Sequence, residues 1–297
     1  MAKRPQRISY PGADYEVHVH GIPRAPLHDF YHALLRHPWW VLVASIAITF
    51  LATNALFALG YLLSGGLANA QPGSFLDAFY FSVQTMGTIG YGAVHPITDA
   101  ANALVVLEAI VGLTMTAVWT GLVFAKFSRS TARVRFTQQV VIGPVDGVPT
   151  LTFRISNERG NQIVNAHIRI VLNRTERTLE GHTRYRSIDL TLLRDHVNTL
   201  SRAFVVQHPI TRDSPLFGVT PASWKTLEIE MNILVVGLDD TTGQTVHATH
   251  NYHESAVRWG SRHVDLLSET PDGHVLLDLT KFDDREPTKP TADFPYP

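Results

Sequence analysis

Two long stretches in the first half of the chain are apolar almost without interruption, and most of the second half alternates polar with apolar. Trp39 to Leu63 carries no charged residue. At about 1.5 Å per residue it is long enough to cross a hydrocarbon core with some tilt. Ala100 to Ala125 repeats the pattern, with Glu108 as its one charged residue. Soluble helices of this length carry a polar stripe, so both stretches predict transmembrane helices, over about 39–63 and 100–126. Between them lies SFLDAFYFSVQTMGTIGYGAVHP, too apolar for a solvated loop. Ser74 is placed to cap a helix with Asp77 in its first turn. The pattern predicts a helix over 75–87, too short to span, which dips into the membrane and returns through 88–92.

Ahead of the first span, Leu27, Phe30, Tyr31, Leu34 and Leu35 share one helical face, with His28, Asp29, His32 and Arg36 opposite. This predicts an amphipathic helix over 27–37 lying along the membrane surface, with Pro38 bending the chain into the span. Trp39, Trp40 and Tyr61 would serve as interfacial anchors. Basic residues precede the first span (Lys3, Arg4, Arg7, Arg24, Arg36) and come again after the second (Lys126, Arg129, Arg133, Arg135), whereas none lies between. The positive-inside rule then puts both termini in the cytoplasm and 64–99 outside. Residues 1–26 are then expected to form a cytoplasmic segment, and 38–128 a two-span membrane domain.

From Val134 the period changes to two. VRFTQQVVI, TLTFRIS, AHIRIVLNR, YRSIDLTLL, LSRAFVVQH, LEIEMNILVVG, QTVHATH and RHVDLLS predict short strands separated by turn residues. The expected architecture is a cytoplasmic all-β sandwich over 129–284, with one short helix starting at Thr220-Pro221. The proline-rich, charged segment 285–297 reads as disordered.

Composition adds little. A mean hydropathy of +0.02 and a net charge of -1 conceal the segregation of charge, and a near-neutral pI gives no argument for nucleic acid. With no cysteine, disulfides and thiolate chemistry drop out. No paired-carboxylate, nucleophile-elbow, nucleotide-binding or metal-ligand signature stands out, so no enzyme activity and no cofactor are expected. His247, His250 and His253 recur every three residues, but strand alternation turns His247 and His250 to opposite faces.

The chemistry resides in Thr88-Ile89-Gly90-Tyr91-Gly92. Carbonyl oxygens aimed consecutively at one axis require a backbone that alternates right- and left-handed angles, and Gly90 and Gly92 permit it. Thr88 adds its hydroxyl, Ile89 packs outward, and Tyr91 can brace the strand against aromatics of the pore helix. Such a strand replaces the hydration shell of K+ at Thr88, Ile89, Gly90 and Tyr91, as filters of this kind do. One chain supplies one strand, so four copies are needed and a homotetramer is implied. FYFSVQTMGTIGYG, LEAIVG, TGLVFAKF, HPITRDSPLFG and TTGQTVHATHNYHESAVRWGSRHVDLL resemble the prokaryotic inward-rectifier potassium channels over roughly residues 25 to 285.

That resemblance implies a potassium channel subunit in a bacterial inner membrane, with an immunoglobulin-like cytoplasmic sandwich. It places the inner constriction at Phe124 and a second constriction at Gly243, Gln244, Thr245, Val246 and His247. Stepping back from Phe124 by helical turns puts Thr120, Thr116 and Leu113 on the same pore-lining face. Glu108 falls about 160° away, where a support role behind the filter, near Gln84, is expected in preference to a direct ion site. Resembling eukaryotic channels carry a cavity acid that draws in blocking Mg2+ or polyamines. Thr116 stands at that level here, so weak rectification is expected. Gly112 and Gly121 are hinge candidates, though close helix packing explains membrane glycines as well. Arg24, Arg36, Lys126 and Arg129 are candidates for anionic lipid headgroups, phosphoinositides among them, or simply satisfy the positive-inside rule.

Overall fold

The computed structural model describes residues 6–9, 16–19, 26–128 and 132–289. The chain divides into two compact units, 21–129 and 1–20 with 130–297, and each is taken separately. Arg24 and Arg129 lie outside the described residues, as do 1–5, 290–297 and several residues near the N-terminus.

The first unit is helical. Helix α1 (Pro26–Arg36) is followed by Pro38 at the N-cap of α2 (Trp39–Ser64), in an extended conformation. Proline fits there because the first-turn N–H groups have no helical partner anyway. Helix α2 ends at Gly65 in the left-handed region, φ 60, whose N–H returns to Tyr61 O. Helix α3 (Phe75–Met86) begins under the Ser74 cap, whose hydroxyl accepts from Asp77 N. Helix α4 (Asp99–Phe127) begins under Thr98, which accepts from Ala101 N. Both α2 and α4 are long and apolar enough to cross a membrane.

Among its described residues, the second unit is all-β apart from one short helix and two single 3-10 turns. In chain order its strands include β1 (Gln6–Ser9) and β2 (Glu16–Val19), a hairpin that sequence reading did not foresee. The helical unit contributes the two-residue strands β3 (Leu67–Ala68) and β4 (His95–Pro96), which pair antiparallel. One five-stranded sheet contains β5 (Val134–Phe136), β6 (Val140–Val145), β7 (Val148–Asn157), β11 (Ala203–Pro209) and β14 (Val257–Trp259). The other contains β8 (Ile163–Arg177), β9 (Thr183–Asp189), β10 (His196–Leu200), β12 (Glu230–Asp239) and β13 (Thr245–Tyr252). Within these two sheets the ladders are antiparallel except β14 on β6.

Period-two alternation turns one face of each sheet inward. Ile142, Leu151, Phe153 and Ile155 of one sheet and Ile168, Ile170, Met231, Ile233 and Val235 of the other form a single buried core. The short helix α5 (Pro221–Thr226) has the Thr220 cap and proline at its start, and it seats Trp224 in that core with its indole N–H donating to Ile229 O at 3.0 Å.

The described start of the tail, 285–289, differs from expectation. Arg285–Pro287 pairs with Ser261–His263, and Glu286 forms an ion pair with Arg262. Backbone pairing and a charge partner therefore hold a segment whose composition alone reads as disordered.

Candidate functional site

Within the helical unit, the segment after α3 leaves helical geometry. Thr88 has φ 55, Gly90 φ 60 and Gly92 φ 79, so every second residue is left-handed. The glycines adopt this at no steric cost. Thr88 is β-branched, and a left-handed conformation there costs about 1–3 kcal/mol unless its surroundings over-determine it. Those surroundings are on hand. Thr88 N donates to Thr85 O at 3.1 Å, Ile89 N and Gly90 N both donate to Gln84 O at 2.8 and 3.3 Å, and Tyr91 N donates to Gln84 Oε1 at 3.3 Å. Gln84 thus collects three successive N–H groups with its main-chain and side-chain oxygens. Four successive N–H groups, from Thr88 to Tyr91, are thus spent on the end of α3.

The far end is tied down as well. Ile97 N donates to Gly66 O at 2.8 Å, and Asn69 Nδ2 donates to Ala93 O at 2.9 Å. The Tyr91 side chain, by contrast, stands exposed, and among the described residues no aromatic ring of this chain braces it. Its main-chain N–H makes the tie instead. The Ile89 side chain is likewise half exposed.

Behind α3 lies a fully buried polar cluster. Glu108 Oε2 accepts from Tyr61 Oη at 2.5 Å, and Glu108 Oε1 lies 2.5 Å from Ser82 Oγ. Ser82 Oγ lies 2.9 Å from Asn54 Oδ1, while Asn54 Nδ2 donates to Phe50 O at 2.7 Å and touches Met86 Sδ at 3.5 Å. The partners of Glu108 are thus Ser82 and Tyr61 instead of Gln84. Tyr61 is 1% exposed and packs edge-on against Phe81 at 5.0 Å, so it is a core residue and not an interfacial anchor. The buried acid draws it inward. Trp39 and Trp40 remain exposed.

Leu113, Thr116, Thr120 and Phe124 all lie on an exposed face of α4, whereas Glu108 and Gly112 are buried. A Cβ at Gly112 would meet Met86 Cγ at 2.9 Å, but one at Gly121 would meet nothing within 4 Å. Close packing against α3 accounts for Gly112. Lys126 is also buried, at 8% exposure, with Nζ donating to Leu34 O at 2.7 Å and His37 O at 2.6 Å and lying 5.5 Å from the Trp39 ring centre. Its ammonium satisfies open carbonyls at the end of α1, so it is not free for a headgroup. Arg36 is exposed.

In the β unit, Gly243 to His247 form the turn of the β12–β13 hairpin and the start of β13. Asp239 Oδ1 accepts from Thr241 N at 2.9 Å and Thr242 N at 3.1 Å, and Gly243 takes φ 64. Val246 is buried in the sandwich core, so strand alternation removes it from any passage that Thr245 and His247 line. The three histidines separate. His247 is exposed, His250 stacks on Phe136 with ring centres 5.0 Å apart, and His253 Nδ1 lies 3.2 Å from Glu230 Oε1. Burial, and after it the neighbouring His253, holds His250 below the usual histidine range.

Residues 134–294 match the family description "Inward rectifier potassium channel C-terminal domain", and residues 42–129 match "Ion channel". The chain is 42% identical over 95% of its length to the inward rectifier potassium channel Kirbac3.1 of Paramagnetospirillum magnetotacticum, covering 96% of that protein. It belongs to the inward rectifier potassium channel family. This is a family of ion channels and not of enzymes. Among vertebrate relatives, the chain is 30% identical to ATP-sensitive inward rectifier potassium channel 12 of Gallus gallus, over 83% of this chain and 63% of that one. It is 31% identical to inward rectifier potassium channel 4 of Homo sapiens, over 73% of this chain and 52% of that one. The channel thus spans about half to two thirds of these longer vertebrate relatives and nearly all of the bacterial one.

The cluster of Asn54, Tyr61 and Ser82 around Glu108 was not anticipated from sequence. Two polar residues and a tyrosine inside apolar runs, with a lone acid in the second run, are the sequence signals that could have found it.

Proposed function

We propose that four copies of this chain surround one axis and conduct K+ passively, with carbonyl oxygens of Thr88, Ile89, Gly90 and Tyr91 replacing the ion's water. The carrying observation is the alternate left-handed backbone at Thr88, Gly90 and Gly92 together with the anchoring of three N–H groups on Gln84. Non-helical backbone survives at membrane depth only when buried in protein or lining a water path. A single strand encloses no ion, which supports the homotetramer. In that assembly the exposed Tyr91 ring packs on a neighbouring copy.

In this reading Leu113, Thr116, Thr120 and Phe124 line the path, Phe124 is the inner gate and Gly121 is its hinge. Thr245 and His247, with Gly243 and Gln244, form a cytoplasmic constriction. Gln84 supports the filter directly, and Glu108 supports it through the pore helix. Thr116 in place of an acid makes rectification weak, so Mg2+ and polyamines block little. The distribution of Lys and Arg supports cytoplasmic termini, and the bacterial relative supports an inner-membrane location. Arg36 is the described residue that meets anionic lipid, phosphoinositides included.

Rubidium and sodium uptake into liposomes tests the reading. Wild-type protein takes up Rb+ and excludes Na+. Gly90→Ala, which forces a side chain into a left-handed position at roughly 1–2 kcal/mol per chain, lowers Rb+ uptake on the order of tenfold. Sodium entry as fast as rubidium, or wild-type uptake by Gly90→Ala, would refute it.

A further inference from the structure

The cluster behind α3 contains an imbalance of hydrogens. Ser82 Oγ is within hydrogen-bond distance of Asn54 Oδ1, at 2.9 Å, and of Glu108 Oε1, at 2.5 Å, yet a serine hydroxyl has one hydrogen to give. The orientation of the Asn54 amide is fixed, because its Nδ2 faces Phe50 O, an obligate acceptor, at 2.7 Å. Asn54 Oδ1 therefore accepts and takes the Ser82 hydrogen. Ser82 Oγ then offers Glu108 Oε1 only lone pairs. Two lone-pair oxygens at 2.5 Å repel unless one of them bears a hydrogen, and only Oε1 is left to bear it. Tyr61 Oη supplies its own hydrogen to Oε2.

The opposite assignment fails twice. If Ser82 donated to an ionised Glu108, Asn54 Oδ1 would face a lone pair while fully buried, at the cost of an unsatisfied buried acceptor. Among the described residues the carboxylate would also lack a cation, since no Lys or Arg occurs between Arg36 and Lys126, and Lys126 is committed to Leu34 O and His37 O. An unpaired charge buried in a membrane protein is among the costliest arrangements available. The ionisable neighbour facing Glu108 from α2 is Tyr61; α3 presents Ser82, which does not titrate.

We infer that Glu108 is held as the neutral acid, and that Tyr61, Glu108, Ser82, Asn54 and the Phe50 carbonyl form one continuous donor-to-acceptor chain that positions the pore helix. The chain ties α2 and α4 to α3 two residues from Gln84, where the filter's N–H groups end. This positioning role rests on the filter reading above; the proton assignment does not.

Infrared difference spectroscopy of the full-length protein in liposomes tests the proton, and cation uptake tests the positioning. Wild-type protein at neutral pH shows the C=O stretch of a protonated carboxyl that shifts in D2O and is absent from Glu108→Gln. Glutamine reproduces the chain, its amide N–H donating to Ser82 and its oxygen accepting from Tyr61, so Glu108→Gln keeps the wild-type Rb+/Na+ ratio. Glu108→Leu lowers that ratio on the order of tenfold, as expected for two buried hydrogen bonds lost. Tyr61→Phe, which removes one donor and leaves the acid, shifts the band to higher frequency and covers the case of a misassembled Glu108→Gln. Carboxylate bands in place of the acid band, an unmoved band in Tyr61→Phe, or a Glu108→Gln ratio as low as that of Glu108→Leu would overturn the inference. A wild-type protein that admits sodium freely would count against the proposed function, while the infrared band still decides the proton.

Discussion

Gly112 and Gly121 lie nine residues apart on α4 and respond oppositely to the same added methyl. At Gly112 the new Cβ would stand 2.9 Å from Met86 Cγ, 3.4 Å from Met86 O and 3.7 Å from Met86 Cα. The first contact is closer than a Cβ tolerates, and the Met86 side chain that must give way also touches Asn54 Nδ2 at 3.5 Å. Overpacking of a filled site costs about 1–3 kcal/mol, and alanine's helix preference over glycine returns about 1 kcal/mol. The net for Gly112→Ala is a loss of roughly 0–2 kcal/mol per subunit, concentrated on the last residue of α3, directly before the filter. At Gly121 nothing lies within 4 Å, so Gly121→Ala keeps the helix-preference gain of about 1 kcal/mol. Thermal melting in detergent and the Rb+/Na+ uptake ratio together read the difference. Gly112→Ala lowers both, whereas Gly121→Ala lowers neither and changes only how often the gate opens. Equal melting and equal selectivity in the two variants would show that Gly112 does not pack as described.

Two further substitutions address buried basic groups. Lys126→Met leaves Leu34 O and His37 O without their charged donor, a bond class worth about 1.5–3 kcal/mol each, so amide exchange in the last turn of α1 speeds up; unchanged exchange with an altered lipid response would return Lys126 to the headgroup. His263 is buried and, with Arg154 adding to the effect of burial, is held down at about 4 from 6.5. The folded state thus resists a proton that the unfolded state accepts. The stability this gives is present above pH 6.5 and is lost as pH falls toward 4, up to about 3 kcal/mol at roughly 1.36 kcal/mol per unit. His263→Gln flattens that decline in full-length protein melted between about pH 7.5 and pH 4.5, a window that brackets most of the titration, and parallel declines in variant and wild type would refute it.

The elements were legible in the sequence wherever one period ran unbroken. The two spans, the Ser74-capped re-entrant helix and the Thr220 cap all follow from local rules that the fold leaves alone. Strand β10 was not legible, because His196–Leu200 shows little contrast between its faces and is defined by its partner, pairing His196 with His167 and Leu200 with Ile163. The left-handed Thr88 was not legible either, since threonine rarely adopts that region and only the Gln84 and Thr85 carbonyls account for its neighbours' course. The tail misled for the reverse reason. Its composition carries no sign that Ser261–His263 has an open edge to receive Arg285–Pro287.

Charged and polar residues inside apolar runs were the least readable class, and one physical cause explains each error. Sequence spacing gives the angle of a side chain around its helix, and so set the buried Glu108 apart from the exposed Phe124, but it gives no depth and no partner. Tyr61 looked interfacial because aromatic residues near span ends usually are, and Lys126 looked like a lipid contact because basic residues near span ends usually are. Each instead answers a polar group that the fold had already buried: the Glu108 carboxyl for Tyr61, and the open carbonyls of Leu34 and His37 for Lys126. In a low-dielectric layer an unmatched donor or acceptor costs more than an exposed anchor gains, so the match takes precedence over the usual position. Polar residues in the membrane helices of such a channel are therefore best assigned by pairing donors with acceptors across helices, and Asn54 and Ser82, to which sequence reading gave no role, are the residues that such pairing brings forward.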